Sequence, residues 1–311
     1  MIDSLKDRVV TATSSLFSHG TPPLRDTLDF APDPGLLGPE SVSWRVIGDA
    51  AAFVGGIRAL LIQAAHPEVV SGVETHSRYR SDPLGRLTRT SAYVTAVTYG
   101  ATPEVSAAVG QVRRAHRPIK GVSARANAYS ADDPELAAWV HNVLTDSFLA
   151  AFQSYGPQAL SATDADRFVA EQARCGALLG ASPLPTSADE LARWVSEHPD
   201  VAPSDDQARA GKFLRNPPLP IPIRVGYRLL YEAAVATIPP RIAAVIGSRA
   251  MPGGRAFGRG SVASLRWMLG SSPSWHLALV RTGSPVPEGL FRQPLPARVP
   301  IHSGALGVTP S

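Results

Sequence analysis

Residues 132–156 read DDPELAAWVHNVLTDSFLAAFQSYG, which is the clearest helical pattern in the chain. The two aspartates are placed to cap a helix, and the proline after them suits its first turn. Large apolar side chains then recur at helical spacing, and the final glycine is placed to stop the helix. The segment therefore predicts one long helix with an apolar face.

Similar patterns on both sides extend this prediction to an all-α fold. Each combines a capping residue or a proline near its start with apolar residues at helical spacing. The predicted helices span about 49–65, 83–99, 102–116, 161–177, 188–197, 206–214, 224–246 (broken at Pro239-Pro240) and 265–269. No alternating apolar and polar run of useful length predicts a β-strand, and there is no internal repeat.

Prolines recur towards both ends of the chain and set the expected domain limits. Residues 1–40 are predicted to form an N-terminal arm, and 251–311 a partly irregular C-terminal extension. Residues 41–250 are expected to form a single helical domain between them. The chain has 311 residues, of which 44% are hydrophobic, and this is enough for one sizeable core.

The composition argues against several classes of protein. The net charge of +4 is spread along the chain without a basic block, so no nucleic-acid partner is expected. The single cysteine, Cys175, allows no disulfide within one chain and is expected to be buried. No glycine-rich nucleotide loop and no Gly-x-Ser-x-Gly elbow occurs, which argues against nucleotide-binding folds and common hydrolases.

No segment is predicted to cross a membrane. The apolar run 57–65 is too short for a span, and Arg58 and Gln63 interrupt it. Acidic residues near the N-terminus and the lack of an apolar run after them do not fit a signal peptide. We therefore expect a cytoplasmic protein without a stable membrane span.

His116 is the first candidate for a functional role. It lies in RRAHRPIKG, residues 113–121, on a helical stripe with Arg113 and Lys120. If this stripe lines a cavity, a neutral imidazole there can bind a metal or a haem iron. The alternative is a surface histidine at a helix C-terminus, where the helix dipole favours positive charge.

A run that bears basic and hydroxyl groups, DPLGRLTRT at residues 82–90, provides the second candidate. Arg86 and Thr90 are four residues apart and share a helical face, whereas Arg89 points about a quarter turn away. In an apolar pocket, a guanidinium and a hydroxyl can bind dioxygen, a carboxylate or a haem propionate. The alternative is an exposed basic edge of the helix.

The other histidines fit structural roles better. One local group contains four possible metal ligands: His66, Glu68, Glu74 and His76. Their spacing matches neither the His-Glu-x-x-His motif nor the Glu-x-x-His pairs of di-iron bundles. We expect His66 to be a buried turn residue that is hydrogen-bonded to the backbone. His141 is expected to pack in the core with one hydrogen bond, and the alternative is a supporting role near a cofactor.

Several of these runs, in their order along the chain, resemble the MpaB-type oxygenase family, which includes the rubber oxygenase. The resemblance rests on IRALLIQAAHP (57–67), DPLGRLTRT (82–90), TYG (98–100), RRAHRPIKG (113–121), YSADDPEL (129–136) and WVH (139–141). It extends roughly from Trp44 to Arg241.

The resemblance implies a globin-like helical domain that holds a non-covalent haem b. It also implies that His116 is the axial ligand of the iron, and that Arg86 and Thr90 match the family's arginine and threonine on the preceding helix. Arg89 stands where the rubber enzyme has lysine, and Lys120 where it has arginine. The nearest candidates for that enzyme's glutamate base are Glu68 and Glu74.

We therefore expect a haem b-dependent oxygenase that acts with dioxygen, or peroxide, on a small apolar substrate such as an isoprenoid or a lipid. Arg86 and Thr90 are the expected catalytic residues, and His116 is the expected metal ligand. The expected cofactor-binding residues are His116, Arg86, Arg89, Arg113 and Lys120. The alternative is a non-catalytic helical carrier of haem or lipid, which would share the same pocket.

Overall fold

The computed structural model describes residues 24–293 and 295, and these are mainly helical. They form the α-helices α1 (Val42–Ile47), α2 (Ala51–Gln63), α3 (Pro67–His76), α4 (Pro83–Tyr99), α5 (Thr102–His116), α6 (Pro134–Tyr155), α7 (Ala162–Ala177), α8 (Ala188–Ser196), α9 (Asp205–Arg215), α10 (Ile221–Val235), α11 (Pro240–Val245), α12 (Gly254–Leu269) and α13 (Pro273–Thr282). A short 3-10 helix, Thr27–Phe30, precedes them. The all-α prediction is confirmed, and predictions for residues 1–23, 294 and 296–311 lie outside the described residues.

The core is built around α2 and α6, which form the most extensive helix contact among the described residues. Small residues on α2 allow the two backbones to approach closely, since a Cβ on Gly55 would lie 2.6 Å from the Phe148 ring. Large side chains such as Ile62, Trp139 and Phe152 are buried around this contact. Each contributes on the order of 1.5–3 kcal/mol through removal of apolar surface from water.

A buried ion pair fastens the same two helices. Arg58 on α2 donates through Nη1 to Asp146 Oδ2 at 2.7 Å and to Ser147 Oγ at 2.8 Å, both on α6. Its Nε donates to the carbonyl of Thr237, just after α10, at 3.3 Å. Removal of one partner of such a pair leaves a buried charge uncompensated, which typically costs about 3–5 kcal/mol.

Polar side chains cap the N-termini of several helices, as the sequence predicts. Asp82 accepts from the N–H of Gly85 at the start of α4, and Ser161 caps α7 by accepting from the N–H of Asp164. Of the two aspartates before α6, Asp133 is the cap. These side chains satisfy N–H groups that have no partner within the first helical turn.

The structure also contains elements outside the predicted helices. These are the 3-10 helix, α1, α3, α13 and a hairpin of two antiparallel strands, β1 (Lys120–Val122) and β2 (Ala128–Ser130). The sequence predicts a helix end at His66-Pro67, and His66 indeed follows α2, but Pro67 also begins α3. Strands of three residues are too short to show an alternating pattern.

Helix α12 begins at Gly254, well before the predicted start at residue 265. Its glycines weaken the helical pattern, yet Gly258 is needed for packing, because a Cβ there would lie 2.8 Å from the Tyr155 ring. The helix contacts both α6 and α10. The predicted division between a domain at 41–250 and an extension at 251–311 stays a prediction.

A buried arginine joins the described N-terminal segment to the helices. Arg281 on α13 is only 1% exposed and donates to Thr27 Oγ1, to the Tyr99 carbonyl and to the Asp33 carbonyl.

Among residues 24–293, no helix has the length and hydropathy needed to cross a bilayer.

Candidate active site

A large cleft opens between helices α2, α3, α4, α5, α6, α10 and α12. Its volume is about 2620 Å³, and apolar side chains form most of its walls. Typical small-molecule pockets measure roughly 300–1,000 Å³, so the cleft has room for a large cofactor together with an apolar substrate.

His116 lies on the wall of this cleft, at the end of α5. The ring is half-buried and forms no hydrogen bond with any described residue. Burial lowers the pKa of His116, and the negative charge of Asp132 opposes this effect only in part. The imidazole is therefore neutral near pH 7, which is the form that binds metals.

Arg86, in the first turns of α4, brings a cation to the same cleft. Its guanidinium donates to Ser77 Oγ at 3.2 Å and lies 5.7 Å from the centre of the Tyr79 ring. Burial lowers its pKa, and no carboxylate pairs with it in the described part of the chain. A half-buried cation without a counter-ion favours the binding of an anionic group.

Thr90 and Tyr93 continue this face of α4 towards the C-terminus, and both line the cleft. The Tyr93 hydroxyl is buried and has no hydrogen-bond partner among the described residues. Burial raises the pKa of Tyr93, so the phenol keeps its proton and can donate it to a bound group. Helical spacing predicts that Tyr93 continues the face of Arg86 and Thr90, but spacing cannot show that its hydroxyl lacks a partner.

The remaining predicted cations differ in position. Arg89 and Arg113 line the cleft, where Arg89 pairs with Asp82 at 3.4 Å and Arg113 donates to the Leu178 carbonyl at 2.6 Å. Lys120 is exposed on β1 and does not line the cleft. The structure thus brings together all the predicted site residues except Lys120.

The two candidate glutamates are both held by other side chains. Burial raises the pKa of Glu68, but hydrogen bonds from Arg125 and Ser123 outweigh this effect and lower the pKa to about 2. Glu74 accepts from the Tyr79 hydroxyl and from Arg80. Glu68 lines the cleft, whereas Glu74 does not. Neither carboxylate is free to act as a base without loss of these contacts.

His66 is buried in the turn before α3, as the sequence predicts, but the expected hydrogen bond is absent. Its Nδ1 has no hydrogen-bond partner among the described residues, and the nearest carboxylate oxygen, Glu68 Oε2, is 3.3 Å away. The prediction of a bond from this ring to the backbone is wrong. Local spacing could not show that the ring packs against His198, a residue distant in the sequence.

His141 and Cys175 have the structural roles that their sequence context indicates. The His141 ring donates through Nε2 to the Gln172 carbonyl at 2.8 Å, and burial lowers its pKa to about 4. Burial raises the pKa of the Cys175 thiol to about 12, so it is not a thiolate ligand.

Comparison with known proteins supports the resemblance seen in the sequence. The family described as "ER-bound oxygenase mpaB/B'/Rubber oxygenase, catalytic domain" matches residues 44–267, well over half of the chain. Comparison with curated proteins and with solved structures finds no match. The matched region includes His116, Arg86, Thr90 and most of the cleft wall. The chain belongs to this family of oxygenase catalytic domains.

Proposed function

We propose that the protein is a haem b-dependent oxygenase that uses dioxygen to oxidise a small apolar substrate of the isoprenoid or lipid class. The observation that carries this proposal is His116, a neutral imidazole without a hydrogen bond on the wall of a large apolar cleft. Membership of an oxygenase family supports the reaction class. The haem cofactor and the substrate class go beyond what family membership shows, and they are our proposal.

The residues of the cleft fit a non-covalent haem b. His116 would bind the iron, and the apolar walls would cover the faces of the macrocycle. The two propionates need cations, and Arg86, Arg89 and Arg113 provide them on the same walls. Lys120 does not line the cleft, so its role in cofactor binding stays a prediction. When bound, the haem supplies an iron centre that binds and activates dioxygen.

The polar face of α4 would control the reaction by hydrogen bonding. Arg86 carries a charge without a carboxylate partner, so it would stabilise negative charge that develops in the cleft. The Thr90 and Tyr93 hydroxyls, four and seven residues further along the helix, would orient bound groups by donating hydrogen bonds. The apolar walls would bind the substrate and exclude water.

The absorption spectrum of the purified protein tests the cofactor. We expect a Soret band in the wild type and its loss or a marked shift in His116→Ala. His76→Ala is the matched control, because His76 also lines the cleft but its Nε2 already contacts the Lys120 carbonyl. A colourless protein that does not bind added haem would refute the proposal.

Consumption of dioxygen separates an oxygenase from a carrier. With a panel of terpenoid and fatty-acid substrates, we expect uptake by the haem-loaded wild type and reduced uptake by Arg86→Gln and Thr90→Val. Haem binding without dioxygen uptake for any substrate would favour the carrier function instead.

A cytoplasmic location stays a prediction, which fractionation of expressing cells would check.

A further inference from the structure

Outside the candidate active site, His66, His198 and Asp200 bring three donor groups together. One possible ligand atom from each lies within 4.8 Å of the other two. His66 belongs to the turn between α2 and α3, and the other two belong to the loop between α8 and α9. The N–H of Ala202 donates to the Ala65 carbonyl at 3.1 Å, so a backbone hydrogen bond joins the two segments.

The His66 ring is the unusual member of this cluster. The residue is only 4% exposed, and its Nδ1 has no hydrogen-bond partner within the described residues. Buried polar groups in native proteins almost always have a partner, and an orphan often marks a site for a water or an ion. The ring also cannot turn freely, because the Trp139 and His198 rings pack against it with their centres 5.6 Å away.

The His198 ring is also held in place, and one of its nitrogens forms no hydrogen bond with a described residue. The centre of this ring lies 4.8 Å from the centre of the Trp139 ring and 4.7 Å from that of the Trp194 ring. The only hydrogen bond that the ring forms with a described residue is a long one, 3.3 Å, which Nδ1 accepts from the N–H of Asp200. Burial lowers the pKa of both histidines, to about 4 for His66, so both rings are neutral near pH 7.

The charges around the cluster favour a cation. Glu68, Asp200 and Glu135 act on the two histidines as negative charges, and Arg125 and Arg241 act as positive charges. These groups among the described residues together carry a net negative charge. Arg125 donates to Glu68 through two nitrogens, whereas its nearest atom is 3.6 Å from Asp200 Oδ1. Glu68 Oε2 lies 3.3 Å from His66 Nδ1 and adds a second carboxylate charge beside the cluster.

We propose that His66, His198 and Asp200 bind a divalent transition-metal ion such as Zn²⁺. Two imidazoles and one carboxylate are donors that zinc accepts, and three protein ligands leave a fourth position for water. Asp200 is half-exposed, so this position is accessible from solvent. The ion would fasten the α2–α3 turn to the α8–α9 loop. The proposal does not depend on the haem.

Zinc binding to the protein as purified tests the site. After equilibrium dialysis against Zn²⁺ and metal analysis, we expect one equivalent in the wild type and at least about tenfold weaker binding in His198→Gln and Asp200→Asn. Both residues are half-exposed, so these variants should fold even if His66→Ala does not. Asp189→Asn, which changes an exposed aspartate on α8, is the matched control and should bind like the wild type.

Thermal unfolding provides a second measurement. Because an ion that binds only the folded state stabilises it, Zn²⁺ should raise the Tm of the wild type and of Asp189→Asn but not of Asp200→Asn. Equal zinc binding by the wild type, His198→Gln and Asp200→Asn would overturn the proposal. Zinc that is lost in His116→Ala but kept in Asp200→Asn would also overturn it, by placing the ion in the cleft.

Discussion

His116 and His66 are both neutral imidazoles without hydrogen bonds to described residues, yet their surroundings are opposite in charge. His116 faces a wide apolar cleft whose walls carry arginines, and of these Arg86 and Arg113 form no ion pair with a described carboxylate. His66 lies in a tight aromatic cluster whose nearest charged groups are carboxylates. The difference shows that an imidazole ring alone does not determine which ligand binds. Cationic walls favour an anionic macrocycle, whereas carboxylates favour a bare metal ion.

Substitution of one ligand in each region should have the largest effect. We expect His116→Ala to lose haem and keep zinc binding, and Asp200→Asn to lose zinc binding and keep haem. Absorption spectra and metal analysis of both variants would measure the two losses. Loss of both ligands in either variant would mean that the two regions are not independent.

A third histidine, His141, differs from both, because it is half-buried and its ring forms a hydrogen bond. Its pKa is about 4 in the folded protein and about 6.5 when unfolded, so between these values the unfolded chain binds more protons. The stability contributed by the neutral ring is complete above pH 6.5 and is lost as the pH falls towards 4, by on the order of a few kcal/mol.

Urea unfolding at several values between pH 4.5 and 7 would measure this loss. We expect His141→Gln to show a flatter dependence of the free energy of unfolding on pH than the wild type. An unchanged slope in the variant would show that other groups dominate the titration.

The charge of the cleft is tested by Arg86→Gln. Hydrogen bonds to charged groups are worth about 1.5–3 kcal/mol, so we expect haem affinity or turnover to fall about ten- to a hundredfold. Arg89→Gln should have a smaller effect, because Arg89 is more exposed and already pairs with Asp82. Haem titrations and dioxygen uptake would measure both. An equal effect of the two substitutions would contradict the special role of Arg86.

Tyr93→Phe should give the smallest change in stability. The hydroxyl forms no hydrogen bond with described residues, so its removal should leave the haem-free protein unchanged or more stable by up to about 1 kcal/mol. Turnover should nevertheless fall if the phenol contacts a bound group. Urea unfolding and dioxygen uptake on the same preparation would separate the effects. A clear loss of stability would reveal a partner for the hydroxyl in the free protein.

Local sequence chemistry predicts the parts of the fold that local interactions determine. Helices α4, α5 and α6 could be placed because aspartates, prolines and glycines mark their ends. Helix α12 could not be placed in full, because Gly258 weakens its helical pattern and is explained only by packing against Ala233 and Tyr155. The polar face of α4 follows from helical spacing, whereas the orphan Tyr93 hydroxyl depends on tertiary burial.

Spacing along the sequence is limited in the same way for metal ligands. His66 and its neighbours in the chain, Glu68, Glu74 and His76, match no metal-binding motif. The structure instead brings His66 beside His198 and Asp200, which belong to a distant loop. No spacing rule predicts a cluster whose members meet only through the packing of that loop against the α2–α3 turn.

The contact between α12 and the start of α2 bears on how the protein can be divided. Arg266 donates to both carboxylate oxygens of Asp49, at 2.6 and 2.8 Å, and to the Tyr155 carbonyl at the end of α6. A fragment that stops at residue 250 would lack the cation that pairs with the Asp49 carboxylate. It would also lack Leu265 and Met268, which line the cleft. The smallest unit worth expressing on its own therefore extends beyond α12.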